Sequence, residues 1–320
     1  MLRMADWFFP DGMNHHELFA GVPGVQTVMQ ALARRVAGLG DLPRQASRPR
    51  AAARREADVL VVGAGPAGMA AAVELSRRGR RVEVVDDDLA WGGSARAMPG
   101  EAGLEWEPLL DAFGAAVSAL RVAVRLRTTA AGVYGDDVLV AGDDGVEVVT
   151  AHTLVLAPGA HDGTLAFEGN DVPGVMSARA ACRLLVRGVV VGKRVVVAAL
   201  DGGGPYAAAY ARARSDANVV RGTVLRVSGS GRAKAVTMAT PEGELRLACD
   251  AVLIDAPRAP AYELCAQAGA ELVHEARGFV VRPGPGGKVR DGIYAVGEVV
   301  GTPLDPNAVA REARAVADSA

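Results

Sequence analysis

The chain has 320 residues, half of them hydrophobic, with 35 basic and 37 acidic side chains for a formal net charge of -2. That length supports two domains with packed cores, and so small a charge leaves no footprint for a nucleic-acid or membrane-surface partner. Cys182, Cys249 and Cys265 are far apart, with no Cys-x-x-Cys pair. This excludes a redox-active disulfide and an iron–sulfur ligand set, and buried thiols suit a reducing cytosol. Because the start lacks an n-region followed by an apolar core and no run nears the ~20 residues of a membrane span, we expect a cytoplasmic protein.

Residues 1–57 read as an N-terminal arm and an Arg-rich linker. Trp7, Phe8 and Phe9 hold a large share of the few aromatics, suiting either packing on their own domain or an anchor for another subunit. His15 and His16 are adjacent, with only Glu17 beside them, so no metal site is expected. Val25 to Val36 has helical spacing of apolar residues, and Gly38-Leu39-Gly40 stops it. Arg44, Arg48, Arg50, Arg54 and Arg55, with Pro43 and Pro49 among them, read as a solvated linker or as a docking strip for an acidic partner.

The decisive segment runs from 58 to 86. An apolar strand (58–62) leads into Gly63-Ala-Gly65-Pro66-Ala67-Gly68, then an alanine-rich helix ended by Gly79, a second strand (81–85) and Asp86. Gly63 permits the tight turn, Gly65 lets the backbone approach a pyrophosphate, and Gly68 lets the helix press on the sheet. Free N–H groups at the helix start then face the phosphates. Asp86 is placed to accept from a ribose, and an acid there argues against a 2′-phosphate.

A helix (105–120) and short strands (122–126, 132–134, 138–141, 146–149) with an Asp-Asp-Gly turn at 143–145 fill the next stretch. Leu154 to Gly159 reads as a strand running into a loop. A second nucleotide-like unit opens at Gly192, with a strand to Leu200, then Asp201-Gly202-Gly203-Gly204-Pro205 and a helix from Tyr206 to Arg214. Its glycines come late, and a meander (219–227, 233–238, 244–247) follows with no clear second parallel strand ending in an acid. Were Thr223 to Leu225 that strand, Arg226 would stand at the ribose position and favour NADPH.

Pro66-Ala67 with Trp91-Gly92-Gly93 resembles the two-domain flavoproteins, which hold FAD in a split domain whose last piece returns at the C-terminus. Gly292 to Val299 resembles that returning strand and turn, with Glu298 where the usual residue is Asp. Ala157-Pro158-Gly159 resembles their Ala-Thr-Gly crossing, with Pro158 removing an N–H and a hydroxyl. The expected fold is α/β, two dinucleotide-binding domains: a split FAD domain at 58–190 and 279–320, with a reduced NAD(P)-like unit at 191–278 inserted. The resemblance implies cofactor contacts from Gly63, Gly65, Pro66, Ala67, Gly68, Asp86, Gly92, Gly93, Ser94, Ala131, Ala157, Gly159, Gly297 and Glu298.

His161 to Met176, above all Asn170-Asp171-Val-Pro173-Gly174-Val175-Met176, resembles the alpha subunit of heterotetrameric sarcosine oxidase and its relatives, as do 35–40, 188–196 and 250–269. Those relatives include the FAD-binding subunits of opine oxidase, D-hydroxyproline dehydrogenase and hydrogen cyanide synthase. The resemblance implies a flavin amine or imino-acid dehydrogenase or oxidase in which a D-amino-acid-oxidase-like partner subunit oxidises the substrate. This chain would hold FAD, with NAD or ATP as alternatives in the same site, and an FMN could lie at the partner interface. No acid–base pair beside the nucleotide fold reads as catalytic. The sequence carries neither a ferredoxin-like module, nor a tetrahydrofolate region, nor a cysteine-rich tail, so any iron–sulfur centre is expected on a small separate subunit. Two rivals remain: a self-sufficient NAD(P)H-dependent FAD reductase and a non-catalytic nucleotide-binding scaffold.

Overall fold

A computed structural model describes residues 24–36, 52–163 and 165–320. The chain divides into two compact units, Met1–Ala51 and Ala52–Ala320. In the first, helix α1 (Val25–Val36) occupies the segment its apolar spacing marks. Trp7, Phe8, Phe9, His15, His16, Gly38 to Gly40 and Arg44, Arg48 and Arg50 lie outside the described residues.

Strand β1 (Ala53–Val62) is the axis of the second unit. It is flanked in parallel by β2 (Val82–Val85) and β6 (Gly145–Leu156), and its last four residues form an unbroken apolar run because both faces are covered, Val59 and Val61 packing in one core with Met69 and Phe113, Leu60 and Val62 in another with Val138 and Val281. The strand starts earlier than the sequence suggests, at Ala53, so Arg54 and Arg55 belong to it and not to a linker. Arg55 pairs with Glu83 (2.5 Å) and Glu147 (3.1 Å), and Arg125 reaches Glu147 at 2.6 Å. These pairs tie the charged ends of four strands together.

Helix α2 (Pro66–Arg77) crosses from β1 to β2. Short α3 (Glu101–Leu104) precedes α4 (Glu107–Ser118), which stands where the sequence suggests a helix over 105–120, and β3 (Val122–Arg125) joins the edge of β2. Hairpin β4 (Thr129–Tyr134) and β5 (Asp137–Gly142) pairs with the first half of β6. The expected strands at 146–149 and 154–156 are therefore one strand. Near the C-terminus, β18 (Lys288–Arg290) and β19 (Ile293–Ala295) bring the chain back, β19 lying parallel beside the end of β6. Helix α8 (Pro306–Ser319) packs Val316 and Ala317 into the core shared by α2, α4 and the sheet.

Between these pieces lie β7 (Ala160–His161), β8 (Val175–Ser177), α5 (Ala178–Val186), β9 (Val195–Ala199), α6 (Tyr206–Ala213), β10 (Asn218–Arg221), and the antiparallel β11 (Thr223–Gly229), β12 (Ala233–Thr240) and β13 (Gly243–Ala248). After them come β14 (Ala251–Asp255), β15 (Ala259–Pro260), α7 (Glu263–Gln267), β16 (Leu272–Glu275) and β17 (Gly278–Val281). A second, all-parallel sheet has the order β10-β9-β14-β8. Two expectations need correction. A second parallel strand does follow the helix, β10, though it ends at Arg221 and not in an acid, whereas Thr223 to Leu225 belong to antiparallel β11 and Arg226 pairs with Glu168. The chain changes sheets at Gly222, where φ is +150° and a Cβ would sit 2.2 Å from the Ala239 carbonyl oxygen. The second sheet also takes in β8, through Val175 opposite Val252, so it begins before the border expected at residue 191.

One buried cluster joins Ala70, Met98, Trp106 and Val309 around the first sheet to Val195, Val197, Tyr206 and Leu253 of the second, so the two sheets share a core. Cys182, Cys249 and Cys265 are all buried and free. Burial pushes the Cys182 and Cys265 thiols up to about 12, which leaves them inert. Among the described residues no helix is long and apolar enough to cross a membrane, and no group of His, Cys, Asp or Glu could hold a metal ion.

Asp255, the last residue of β14, is 4% exposed, and burial raises its pKa from 3.8 to about 6. The folded chain therefore holds the proton more tightly than the unfolded one between about pH 4 and pH 6. Unfolding free energy should fall as pH rises through that window, by up to about 3 kcal/mol from this residue. Urea unfolding at pH 4.5 and pH 7 checks it: Asp255→Asn should remove this contribution to the slope.

Candidate functional site

The residues singled out at the β1–α2 turn line one side of a cleft with a cavity volume of about 370 Å³. Gly63, Gly65, Pro66 and Ala67 form its floor, Asp86 follows β2, Gly93 and Ser94 come from the next turn, and Ala157, Gly159, Gly297 and Glu298 close the far side. Helix α2 opens here with Gly65 as N-cap, Pro66 at its first position, no side-chain cap and no acid in its first turn. Its unpaired N–H groups and dipole make an anion site. A Cβ built on Gly65 meets no atom within 4 Å, so this backbone is bare toward the cleft. On Gly68 the same Cβ would lie 1.8 Å from the Gly63 carbonyl oxygen, so Gly68 serves packing beneath the turn and not the cleft surface.

Asp86 accepts hydrogen bonds from the Ala64 N–H (2.5 Å) and the Asp88 N–H (2.8 Å), and burial raises its pKa. It pins the glycine loop while lining the cleft. Besides Gly68, two more expected contacts fall elsewhere. Gly92 is a turn residue whose N–H donates to the Ala64 carbonyl (2.8 Å), and Ala131 is skipped at a bulge between Ala130 and Gly132. Thr129 and Ala130 line the cleft instead. Gly297 does line it, yet its N–H donates to Glu312 of α8 at 2.8 Å, and Glu312 also accepts from Thr302 (2.8 Å). That carboxylate holds the return loop in place.

Three arginines that carry no signal in the sequence face the same cleft: Arg179 and Arg183, one turn apart on α5, and Arg258, between β14 and β15. Arg183 is held by Asp88, and Arg179 by Asp162 at 2.8 Å. Burial raises the Asp162 pKa, but hydrogen bonds from Arg179 and Ser177 and the charge of Arg258 leave it below its usual value. Arg258 also lines the cleft. Its Nη1 donates to both Glu298 oxygens (2.5 and 2.6 Å), its Nη2 donates to the Ala160 carbonyl, and its guanidinium lies 5.9 Å from the Tyr206 ring centre. The Arg258 side chain is 9% exposed and its Nε makes no hydrogen bond. Burial raises the Glu298 pKa, and Arg258 opposes that shift. The longer reach of Glu over Asp at 298 thus serves an ion pair joining the return loop to the second sheet.

Residues 57–221, just over half of the chain, match the sequence family described as pyridine nucleotide-disulphide oxidoreductase. The chain belongs to that family. Its Cys182, Cys249 and Cys265 are buried and free, so no two of them form a disulfide pair. The sarcosine oxidase alpha subunit of Corynebacterium sp. (strain P-1) is 41% identical over 161 residues, 44% of this chain and 17% of that one. An opine oxidase subunit of Agrobacterium tumefaciens (strain Ach5) is 35% identical over 206 residues, 58% and 40% of the two chains. The resemblance to alpha-type subunits is borne out, although the matches span well under half the length of these curated relatives. Among solved structures, L-proline dehydrogenase from P. horikoshii superposes with a TM-score of 0.69 and 26% identity, covering 84% of this chain and 56% of that one. T. acidophilum thioredoxin reductase gives 0.64 at 20% identity, covering 83% and 97%, and shows the two-domain fold. Family and fold together give the chain the two-domain nucleotide-binding architecture of that oxidoreductase family.

Proposed function

We propose that this oxidoreductase is the FAD-binding alpha-type subunit of a multi-subunit amine or imino-acid dehydrogenase or oxidase of the sarcosine, opine or hydroxyproline kind. A D-amino-acid-oxidase-like partner oxidises the substrate, and this chain supports electron transfer from it. The observation that carries the reading is the uncapped start of α2, bare at Gly65, opening onto a cleft that Asp86 bounds at one end.

In this reading Gly63, Gly65 and Ala67 present main-chain groups to the pyrophosphate, and Gly68 keeps the helix close enough to do so. Asp86 accepts from a ribose hydroxyl. Arg179 and Arg183 face the phosphates from α5 and offset their charge. Gly93, Ser94, Ala157, Gly159 and Glu298 bound the remaining length, and Arg258 holds a positive charge at the inner end. Bound FAD would supply the hydride and one-electron chemistry, while the protein orients it and tunes its potential. An FMN at the partner interface and a small iron–sulfur subunit fit the same division of labour.

The test compares this chain alone with the complex purified alongside its operon neighbours. The complex should oxidise a secondary amine such as sarcosine, and the isolated chain should show flavin absorbance without that activity. Turnover of the amine by the isolated chain would contradict the reading.

One observation favours a second reading of the same cleft. The Arg258–Glu298 ion pair stands in the cleft wall on the side that the first reading gives to the flavin half, and a nucleotide without a flavin ring, NAD or ATP, held as a scaffold element would not need that space. A colourless protein that releases such a nucleotide would select it.

A further inference from the structure

The second nucleotide-like unit has the parts of a dinucleotide site: parallel β9 and β10, a glycine-rich crossover at 202–204 and helix α6 behind it. Asp255 occupies the place where a ligand's phosphates would be received. It ends β14 opposite Ala199, the last residue of β9, and so lies directly under the crossover. Its Oδ1 accepts from the Gly204 N–H (3.0 Å) and its Oδ2 from the Ala207 N–H (2.7 Å), the donors at the start of α6. Gly203 rests against the same strand end: a Cβ there would sit 2.3 Å from the Asp255 carbonyl oxygen. Pro205, the N-cap of α6, has no N–H to offer. The void that Asp255 shares with Tyr206, Asp162 and Arg258 measures about 10 Å³, room for about one water and not for a phosphate. The contrast with α2 is direct: the same supersecondary unit is open at Gly65 and filled at Gly204.

We propose that this unit carries its anion within the chain, with the Asp255 carboxylate standing in for a pyrophosphate, and that it takes no pyridine dinucleotide. A buried carboxylate on two main-chain donors neutralises the helix dipole that would attract a phosphate. A dinucleotide would have to expel it, leaving a desolvated acid beside its own phosphates, where like charges repel. NADH and NADPH therefore do not deliver electrons through this unit, whichever nucleotide the first cleft holds. This sets aside a self-sufficient reductase that would take its hydride from NADH or NADPH held in this unit.

Calorimetric titration of the full chain with NADH and with NADPH, repeated on Gly65→Ala, tests this. No binding, or binding that disappears in Gly65→Ala and so belongs to the first cleft, is the expected result. Binding that persists in Gly65→Ala and is lost on Arg221→Ala, at the end of β10, would overturn it. As a second arm, Asp255→Gly in the Gly65→Ala background should gain a rise in melting temperature of roughly 3 °C or more with inorganic pyrophosphate, while Gly65→Ala alone gains none. An equal rise in both proteins would count against the proposal. Should Asp255→Gly fail to fold, the titrations decide it.

Discussion

Gly68→Ala should destabilise the folded chain by about 1–3 kcal/mol and abolish nucleotide retention, because the added methyl meets backbone and not a movable side chain. Its Cβ would lie 1.8 Å from the Gly63 oxygen and 3.3 Å from the Ala157 Cβ. Helix α2 would have to lift from the end of β1, carrying its N-terminal donors away from the cleft. Gly65→Ala provides the contrast. Gly65 has φ -75° and ψ -178°, a conformation alanine adopts freely, and its Cβ would touch nothing in the chain. Its unfolding free energy should stay within about 0.5 kcal/mol of the parent, while nucleotide affinity falls at least about tenfold. Urea unfolding beside quantification of retained nucleotide separates the two effects. A Gly65→Ala protein that keeps its nucleotide would show that the bare backbone there has no part in binding.

Arg258→Met should cost about 3–5 kcal/mol, the range for removing one partner of a buried ion pair. The Arg258 side chain is 9% exposed, so its charge is held in the interior, while that of Glu298 is 21% exposed at the cleft. Losing the guanidinium strands the Glu298 carboxylate and leaves the Ala160 carbonyl without its donor. Arg258→Met with Glu298→Gln should recover a substantial part of the loss, and the double-mutant cycle read by urea unfolding gives the coupling directly. Equal, additive losses from the two changes would mean that the pair contributes nothing as a pair.

The β1–α2–β2 segment is legible in the sequence because its glycine turn, helix start and terminal acid act on one another, Gly68 on Gly63 and Asp86 on the Ala64 N–H. The turn, the helix start and the acid at the strand end are separated by fixed short spacings, so sequence order stands in for geometry. Arg179, Arg183 and Arg258 are not legible, since they reach the cleft only once the second sheet has formed and packed on the first. In sequence they look like ordinary charges on a helix face and in a loop. Asp255 is hidden for the same reason: it reads as the polar end of an apolar strand until β14 is set beside β9. Strand β10 is four residues long and runs at Gly222 straight into β11, so the period-2 pattern holds no sign that the chain changes sheets there. Arg54 and Arg55 read as linker residues because strand residues beyond an apolar run can be recognised only through their ion-pair partners, here Asp137, Glu83 and Glu147. At Ala131 a one-residue bulge is enough to pass the cleft contact to its neighbour Ala130.

The central claim is that main-chain groups at the start of α2 hold an adenine nucleotide in this chain. The most direct measurement is mass spectrometry of the ligand released on denaturing the protein as purified, from the parent and from Gly65→Ala. The expected result is an adenine nucleotide near one equivalent from the parent, identified as FAD if the first reading holds, and little or none from a Gly65→Ala protein that is still folded. Absence of any adenine nucleotide from the parent, or equal amounts from both proteins, would contradict it.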